Sequence, residues 1–199
     1  MKPKPQRYSN LTKEIAKCKP SVIMEIGTYD GKHGSEMIRE AQKYNKDITY
    51  LGFDLFEDIT GEEIVEEHSK KVKAVYEKAK HLLEKNKANI KLYRGYSKDT
   101  LAKLSNLLVD FVFIDGGHSL QTIAEDWKNV QRFIHLDSVI IFDDYYKNRM
   151  DFGCKPLIEE LAKNDTFKIE HLEPEDVFYH KDWTQYVHFV KVTWAVRND

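Results

Sequence analysis

The sequence predicts a doubly wound α/β fold: a mostly parallel seven-stranded sheet finished by an antiparallel C-terminal strand pair. Three observations lead there. Apolar β-type runs alternate with helical patterns along most of the chain. Those runs are almost continuously apolar, as strands buried on both faces are. The last two runs follow each other with no helix between them.

Taken in order, "SVIMEIG" (21–27) reads as a buried strand and a helix follows near 34–44. "ITYLGFDLF" (48–56) is the second strand. Thr60 and Glu63 then stand at capping-box spacing. They open a long charged helix over 60–86, whose apolar positions Ile64, Val65, Val72, Val75, Tyr76, Ala79, Leu82 and Leu83 mostly recur every three to four residues. Its expected role is a solvated face or a lid over a ligand. "NIKLYRG" (89–95) is the third strand and "KDTLAKLSNLL" a short helix. "VDFVFIDG" (109–116) and "SVIIFDDY" (138–145) are the fourth and fifth strands, with helices at 120–134 and 154–164. "FKIEHL" and "QYVHFVKVTWAV" form the closing antiparallel pair. Right-handed crossovers between such units give one doubly wound domain over 1–199.

At 199 residues, 41% apolar and 32% charged, the composition is that of a single globular domain. A formal net charge of −2 gives no support for a nucleic-acid or membrane surface. Two distant cysteines, Cys18 and Cys154, make neither a disulfide framework nor a zinc cluster. With no signal-like or bilayer-length apolar run, the expectation is a soluble cytoplasmic protein.

Ligands of doubly wound sheets sit beyond the carboxyl ends of the strands. Four of the five parallel strands end there in polar residues: Glu25 and Gly27, Asp54, Asp115, and Asp143 with Asp144. The first turn lacks the G-x-G-x-x-G dinucleotide fingerprint and reads Glu25-x-Gly27-x-x-x-Gly31-x-x-Gly34. Glycines and a helix start suit an anion, yet Glu25 and Asp30 would repel a pyrophosphate. S-adenosylmethionine, with an ammonium, a sulfonium and a carboxylate, fits both features. A tight turn holding no ligand is the plain alternative. Asp54, after "ITYLGF", stands where a carboxylate accepts from vicinal ribose hydroxyls, a feature NAD would use equally. Gly95, Tyr96 and Ser97 close the third strand where an adenine edge would lie.

Adjacent parallel strands lie about 5 Å apart, so Asp115 and His118 should converge with Asp143 and Asp144. Three close carboxylates repel unless protons or a cation neutralise them. Oxygen donors select Mg²⁺, Mn²⁺ or Ca²⁺, and the imidazole leans towards transition metals. Tyr29, Phe56, Trp127, Tyr145 and Tyr146 are expected around the mouth, as ligand contacts or as core.

"EIGTYDG", "GFD", "FIDGGHS" and "FDDYY", in this order and spacing, resemble the class I S-adenosylmethionine-dependent methyltransferases, whose fold is Rossmann-like. Within them the chain is most similar to the macrocin O-methyltransferase group, which methylates natural-product sugars with a divalent metal. The likeness spans roughly Lys19 to Val196. It implies that Glu25, Gly27 and Gly31 hold the methionine end of the cofactor and Asp54 the ribose; Thr28 within that first turn, and Gly95, Tyr96 and Ser97 at the third strand end, are the further candidate cofactor contacts. It implies Asp115, Asp143 and Asp144 as ligands of Mg²⁺ or Mn²⁺, with Asp115 also touching the cofactor and assisting catalysis. It makes His118 the general base towards the acceptor, because the aspartate that other members place two residues after the first metal ligand is here Gly117. The chain has little sequence before the first strand, where many relatives carry acceptor-pocket elements. No Asn/Asp-Pro-Pro-Tyr motif follows the fourth strand, which disfavours amino-group acceptors.

The expected reaction is metal-assisted transfer of a methyl group to a hydroxyl of a small molecule or sugar, with an oligomer open. The rivals are the same fold and cofactor without a metal, a non-catalytic cofactor-binding module, and a nicotinamide oxidoreductase.

Overall fold

The computed structural model describes residues 5–66, 73–163, 165–179 and 183–195. Its sheet runs β3-β2-β1-β4-β5-β7-β6. The strands are β1 (Val22–Ile26), β2 (Thr49–Asp54), β3 (Asn89–Arg94), β4 (Val109–Ile114), β5 (Ile134–Tyr146), β6 (Phe167–Tyr179) and β7 (Thr184–Trp194). The first five pair in parallel, and β7 pairs antiparallel with both β5 and β6. This is the mixed sheet with an antiparallel end that the sequence implies.

Helices cover both faces. Successive strand residues point to opposite sides, so Met24, Ile26, Val112, Ile114, Ile140 and Phe142 face one layer of core. That layer is completed by α5 (Ser97–Leu101), α6 (Leu120–Val130) and α7 (Lys155–Leu161). The alternate residues Ile23, Tyr50, Phe111, Phe113 and Ile141 face α1 (Ser9–Cys18), α2 (Lys32–Ala41) and α4 (Tyr76–Glu84). Every central strand is therefore sandwiched, which explains its unbroken apolar character.

Two expectations change. A helix, α1, precedes the first strand. Its buried face mixes Leu11 and Ile15 with Asn10 and Glu14, and Glu14 meets Lys17 and Lys191 there; polar residues at core positions mask the apolar stripe. The single helix expected over 60–86 is, among the described residues, α3 (Gly61–Glu66) and α4, with Lys73–Val75 between them non-helical. Residues 67–72, including Val72 of the expected stripe, lie outside the described residues. The capping box does form: the Thr60 amide donates to Glu63 Oε2 at 2.7 Å and the Glu63 amide to Thr60 Oγ1 at 3.2 Å.

Between Phe142 and Tyr145 the pairing of β5 with β7 slips by one residue. This bulge re-aims the side chains at the strand end, and Asp144 there takes a left-handed φ of 60°. A second irregularity, between Leu172 and Asp176 in β6, lies beside it.

Gly27 fixes the spacing of the two central strand ends. Its φ is 91°, and a Cβ there would sit 2.0 Å from the carbonyl oxygen of Asp115. The backbones of the first and fourth strand ends thus touch directly. Gly27→Ala should cost about 3 kcal/mol, from overpacking and a strained φ together, read as a lowered urea midpoint with an unchanged slope.

Candidate active site

Beyond the carboxyl ends of β1 to β4 lies a cavity of about 200 Å³. It opens where β1 and β4 are neighbours but their crossovers run in opposite directions, the topological switch point. Asp54, Glu63, Asp115 and Asp126 line it, against Lys73 and His118. Such a lining favours a ligand with positive charge over a pyrophosphate.

Asp54 builds two walls at once. Its Oδ2 accepts from the Tyr29 amide at 2.8 Å and its Oδ1 from the Phe56 amide at 2.6 Å. Tyr29 and Phe56 have φ of 49° and 51°, a region bulky residues rarely occupy. One carboxylate therefore pins both irregular turns, and its oxygens have capacity for more donors. Tyr29 and Phe56 line the cavity, as do Gly95, Tyr96 and Ser97. Trp127 and Tyr145 belong instead to the core.

The Ser97 hydroxyl donates to Asp126 Oδ1, a carboxylate only 1% exposed. Sequence reasoning missed Asp126. Its signal was an acid on the buried face of α6, in line with Ile123, Trp127 and Val130. Ile59, Glu63, Lys73 and Ala74 also line this end. The Tyr96 hydroxyl donates to Glu63 Oε1 at 2.5 Å, and Arg94 pairs with Glu57 and Asp58. The start of the charged 60–86 stretch thus leans over the cavity rather than forming only a solvated face.

The first turn divides between the cavity and the packing beneath it. Glu25, Thr28 and Gly31 are not among the residues lining the cavity. Glu25 lies on the α2 side of β1, buried, and accepts from the Tyr50 hydroxyl beneath Gly34. Burial pushes its carboxyl well above the usual carboxylate range. Thr28 is buried over Gly52. Gly31, at φ 76°, starts α2 and packs on Leu83 and the Ala79 carbonyl of α4. Of the first-turn residues, Gly27 and Tyr29 reach the cavity.

At the opposite end, His118 Nε2 lies 3.0 Å from Asp144 Oδ2. The Tyr146 hydroxyl donates to Asp144 Oδ1 at 2.6 Å. The Gly153 amide donates to the His118 carbonyl at 2.9 Å, and the Phe152 ring meets the imidazole edge-on. Burial pushes the Asp144 carboxyl up, but His118, Arg7 and the Tyr146 hydroxyl outweigh it and hold it at about 2. Asp115, His118 and Asp144 each offer a donor atom, all within 4.8 Å of one another. Two carboxylates and an imidazole fit a divalent ion, Mn²⁺ better than Mg²⁺.

Asp143, expected as a third carboxylate of the set, is not among these three donors. It is 3% exposed and turned to the N-terminal segment. Arg7 Nε and Nη2 donate to its two oxygens at 2.8 and 3.0 Å, and the Tyr8 hydroxyl adds 2.9 Å. Arg7 Nη1 donates to Asp176 Oδ2 at 3.0 Å. Arg7 and Tyr8 carry no signal for this contact in the sequence.

A family model described as a methyltransferase domain matches residues 24–145. No curated protein sequence matches the chain. Among solved structures, the O-methyltransferase TomG from Streptomyces achromogenes, involved in tomaymycin synthesis and in complex with SAM, superposes with a TM-score of 0.68 at 15% identity, covering 95% of this chain and 79% of that one. An O-methyltransferase from Bacillus cereus in complex with SAH gives 0.67 at 16% identity, covering 96% and 82%.

The ionised form of Asp144 stabilises the fold, because its carboxyl lies below the ordinary 3.8. That contribution is complete above about pH 4 and lost as pH falls towards 2, about 2 kcal/mol in all. Urea unfolding at pH 5 and pH 2.5 should show a correspondingly smaller loss in Asp144→Asn than in the wild type.

Proposed function

The chain belongs to the methyltransferase-domain family, and on that premise we propose that it moves the methyl group of S-adenosylmethionine to a hydroxyl of a small molecule, assisted by a divalent ion, Mn²⁺ or Mg²⁺. One observation carries this reading: Asp115 and His118 line the same cavity as Asp54, with Asp144 3.0 Å behind His118. A nucleoside against Asp54 would thus lie in one pocket with a group of donors able to activate an acceptor. The motif likeness to the macrocin group narrows the acceptor to a natural-product sugar hydroxyl.

The residues divide the work along the cavity. Asp54 would accept from the ribose hydroxyls. Gly95, Tyr96 and Ser97, with Asp126, would surround the base, whose amino group offers donors to a buried carboxylate. The acidic lining suits the ammonium and sulfonium. Asp115, His118 and Asp144 would hold the ion, which when bound lowers the pKa of the acceptor oxygen by its charge. The acceptor oxygen would attack the methyl carbon as the carbon–sulfur bond breaks, its electrons staying on sulfur, and the hydroxyl proton, acidified by the ion, would pass to water. Holding oxygen and methyl in line contributes up to about 7–11 kcal/mol in favourable cases.

An imidazole cannot lend one lone pair to both an ion and a proton. The His118–Asp144 contact, already formed at 3.0 Å, therefore favours a second reading with the same fold and cofactor. There His118 takes the acceptor proton and Asp144 stabilises the imidazolium.

In either reading His118→Ala should lower methyl transfer by about 10²–10⁴-fold while calorimetry shows S-adenosylmethionine binding within a few-fold of the wild type. EDTA separates the two: at least a hundredfold loss, restored by Mn²⁺, is the outcome for the metal-assisted reading, and unchanged turnover removes the ion. Cofactor binding without transfer to any acceptor in a broad hydroxyl panel would leave only a binding module.

A further inference from the structure

Arg7 stands two residues ahead of α1, yet it is 7% exposed and wholly committed. Its guanidinium fork meets both oxygens of Asp143 and one of Asp176. The Arg7 and Gln6 amides donate to Asp176 as well, at 3.2 and 2.7 Å. This bidentate arrangement fixes position and supplies a permanent positive charge. Tyr8, the next residue, places its hydroxyl 2.9 Å from Asp143 Oδ2 and 3.4 Å from Asp115 Oδ2. The tyrosine ring is held by stacking on His33, with centroids 4.0 Å apart. Asp143 is thus one hydroxyl away from Asp115, a member of the donor group, but its charge is already spent.

We propose that Arg7 is a built-in cation that withholds Asp143 from the ion site, so that the wild-type chain binds its divalent ion through three donors and weakly. The proposal rests on the metal-assisted reading of the same site. A carboxylate paired bidentately with arginine has no charge to spare for a second cation, and a divalent ion beside the guanidinium meets repulsion. Arg7 is a positioning residue: it touches no reacting atom and acts through Asp143. The design leaves Asp144 to His118 and makes the ion exchangeable rather than permanently bound.

The test is Mn²⁺ titration of the full chain, followed by the electron paramagnetic resonance signal of free Mn²⁺. Wild type, Arg7→Met and Arg7→Met/Asp143→Asn are compared, each checked for folding by circular dichroism. Arg7→Met should bind Mn²⁺ at least tenfold more tightly than the wild type, and the added Asp143→Asn should return the affinity to the wild-type value. A residue that serves only the fold would lose affinity on removal, not gain it. If Arg7→Met does not fold, Arg7→Met/Asp176→Asn, which leaves one bare carboxylate instead of two, is measured by the same criterion. A folded variant whose affinity stays within threefold of the wild type, or no Mn²⁺ binding to either protein, overturns the proposal. S-adenosylmethionine binding to the wild type in metal-free buffer is measured alongside. Its survival confines a negative result to the ion, and its loss strikes at the methyltransferase reading itself.

Discussion

Two consecutive buried carboxylates need two positive partners. Asp143 and Asp144 end β5 next to Asp115, and an unpaired buried charge destabilises a fold by about 3–5 kcal/mol. The chain answers with partners drawn from two distant segments. Arg7, ahead of α1, meets Asp143, and His118, after β4, meets Asp144. The bulge in β5 makes this division possible by turning the neighbours towards different surroundings. Much of the rim follows from it: the docking of the N-terminal segment against Asp176, the Tyr8 hydroxyl between Asp143 and Asp115, and the orientation of His118.

The cavity depends on a comparable economy of means. Gly27 lets the ends of β1 and β4 touch, which sets Asp115 beside the first turn. Asp54 then secures two left-handed residues, Tyr29 and Phe56, whose strain of about 1–3 kcal/mol each persists only where surroundings enforce it. Two of these backbone outliers line the cavity, and a third, Asp144, stands behind His118. Strain concentrated at a ligand site, supported by a rigid sheet, is what pre-organised binding requires.

The fold was legible because a buried parallel sheet writes itself as alternating apolar strands and amphipathic helices, and because strand ends mark the ligand side. Asp54, Asp115 and His118 lie on the cavity for that reason. Placement is least legible where one-dimensional position hides direction. Glu25 sits one residue before Ile26, but strand alternation sends it to the α2 face with Ile23. Asp143 and Asp144 look like a pair because they are adjacent, and a bulge, which leaves no mark in composition, separates them. Arg7 has no local signature at all: its partner is 136 residues away. Asp126 was detectable in principle, as an acid on the apolar stripe of α6. The expected helix over 60–86 failed at Lys73–Val75, where apolar periodicity carries on through Val75 but the backbone there is extended.

One crystal structure with S-adenosylhomocysteine and Mn²⁺ bears most directly on whether cavity and acidic rim form a single site. The ribose hydroxyls should lie on Asp54, and the anomalous Mn²⁺ peak should fall among Asp115, His118 and Asp144 with Arg7 still holding Asp143. A nucleoside bound outside this cavity, or Mn²⁺ ligated away from those three residues, would contradict it.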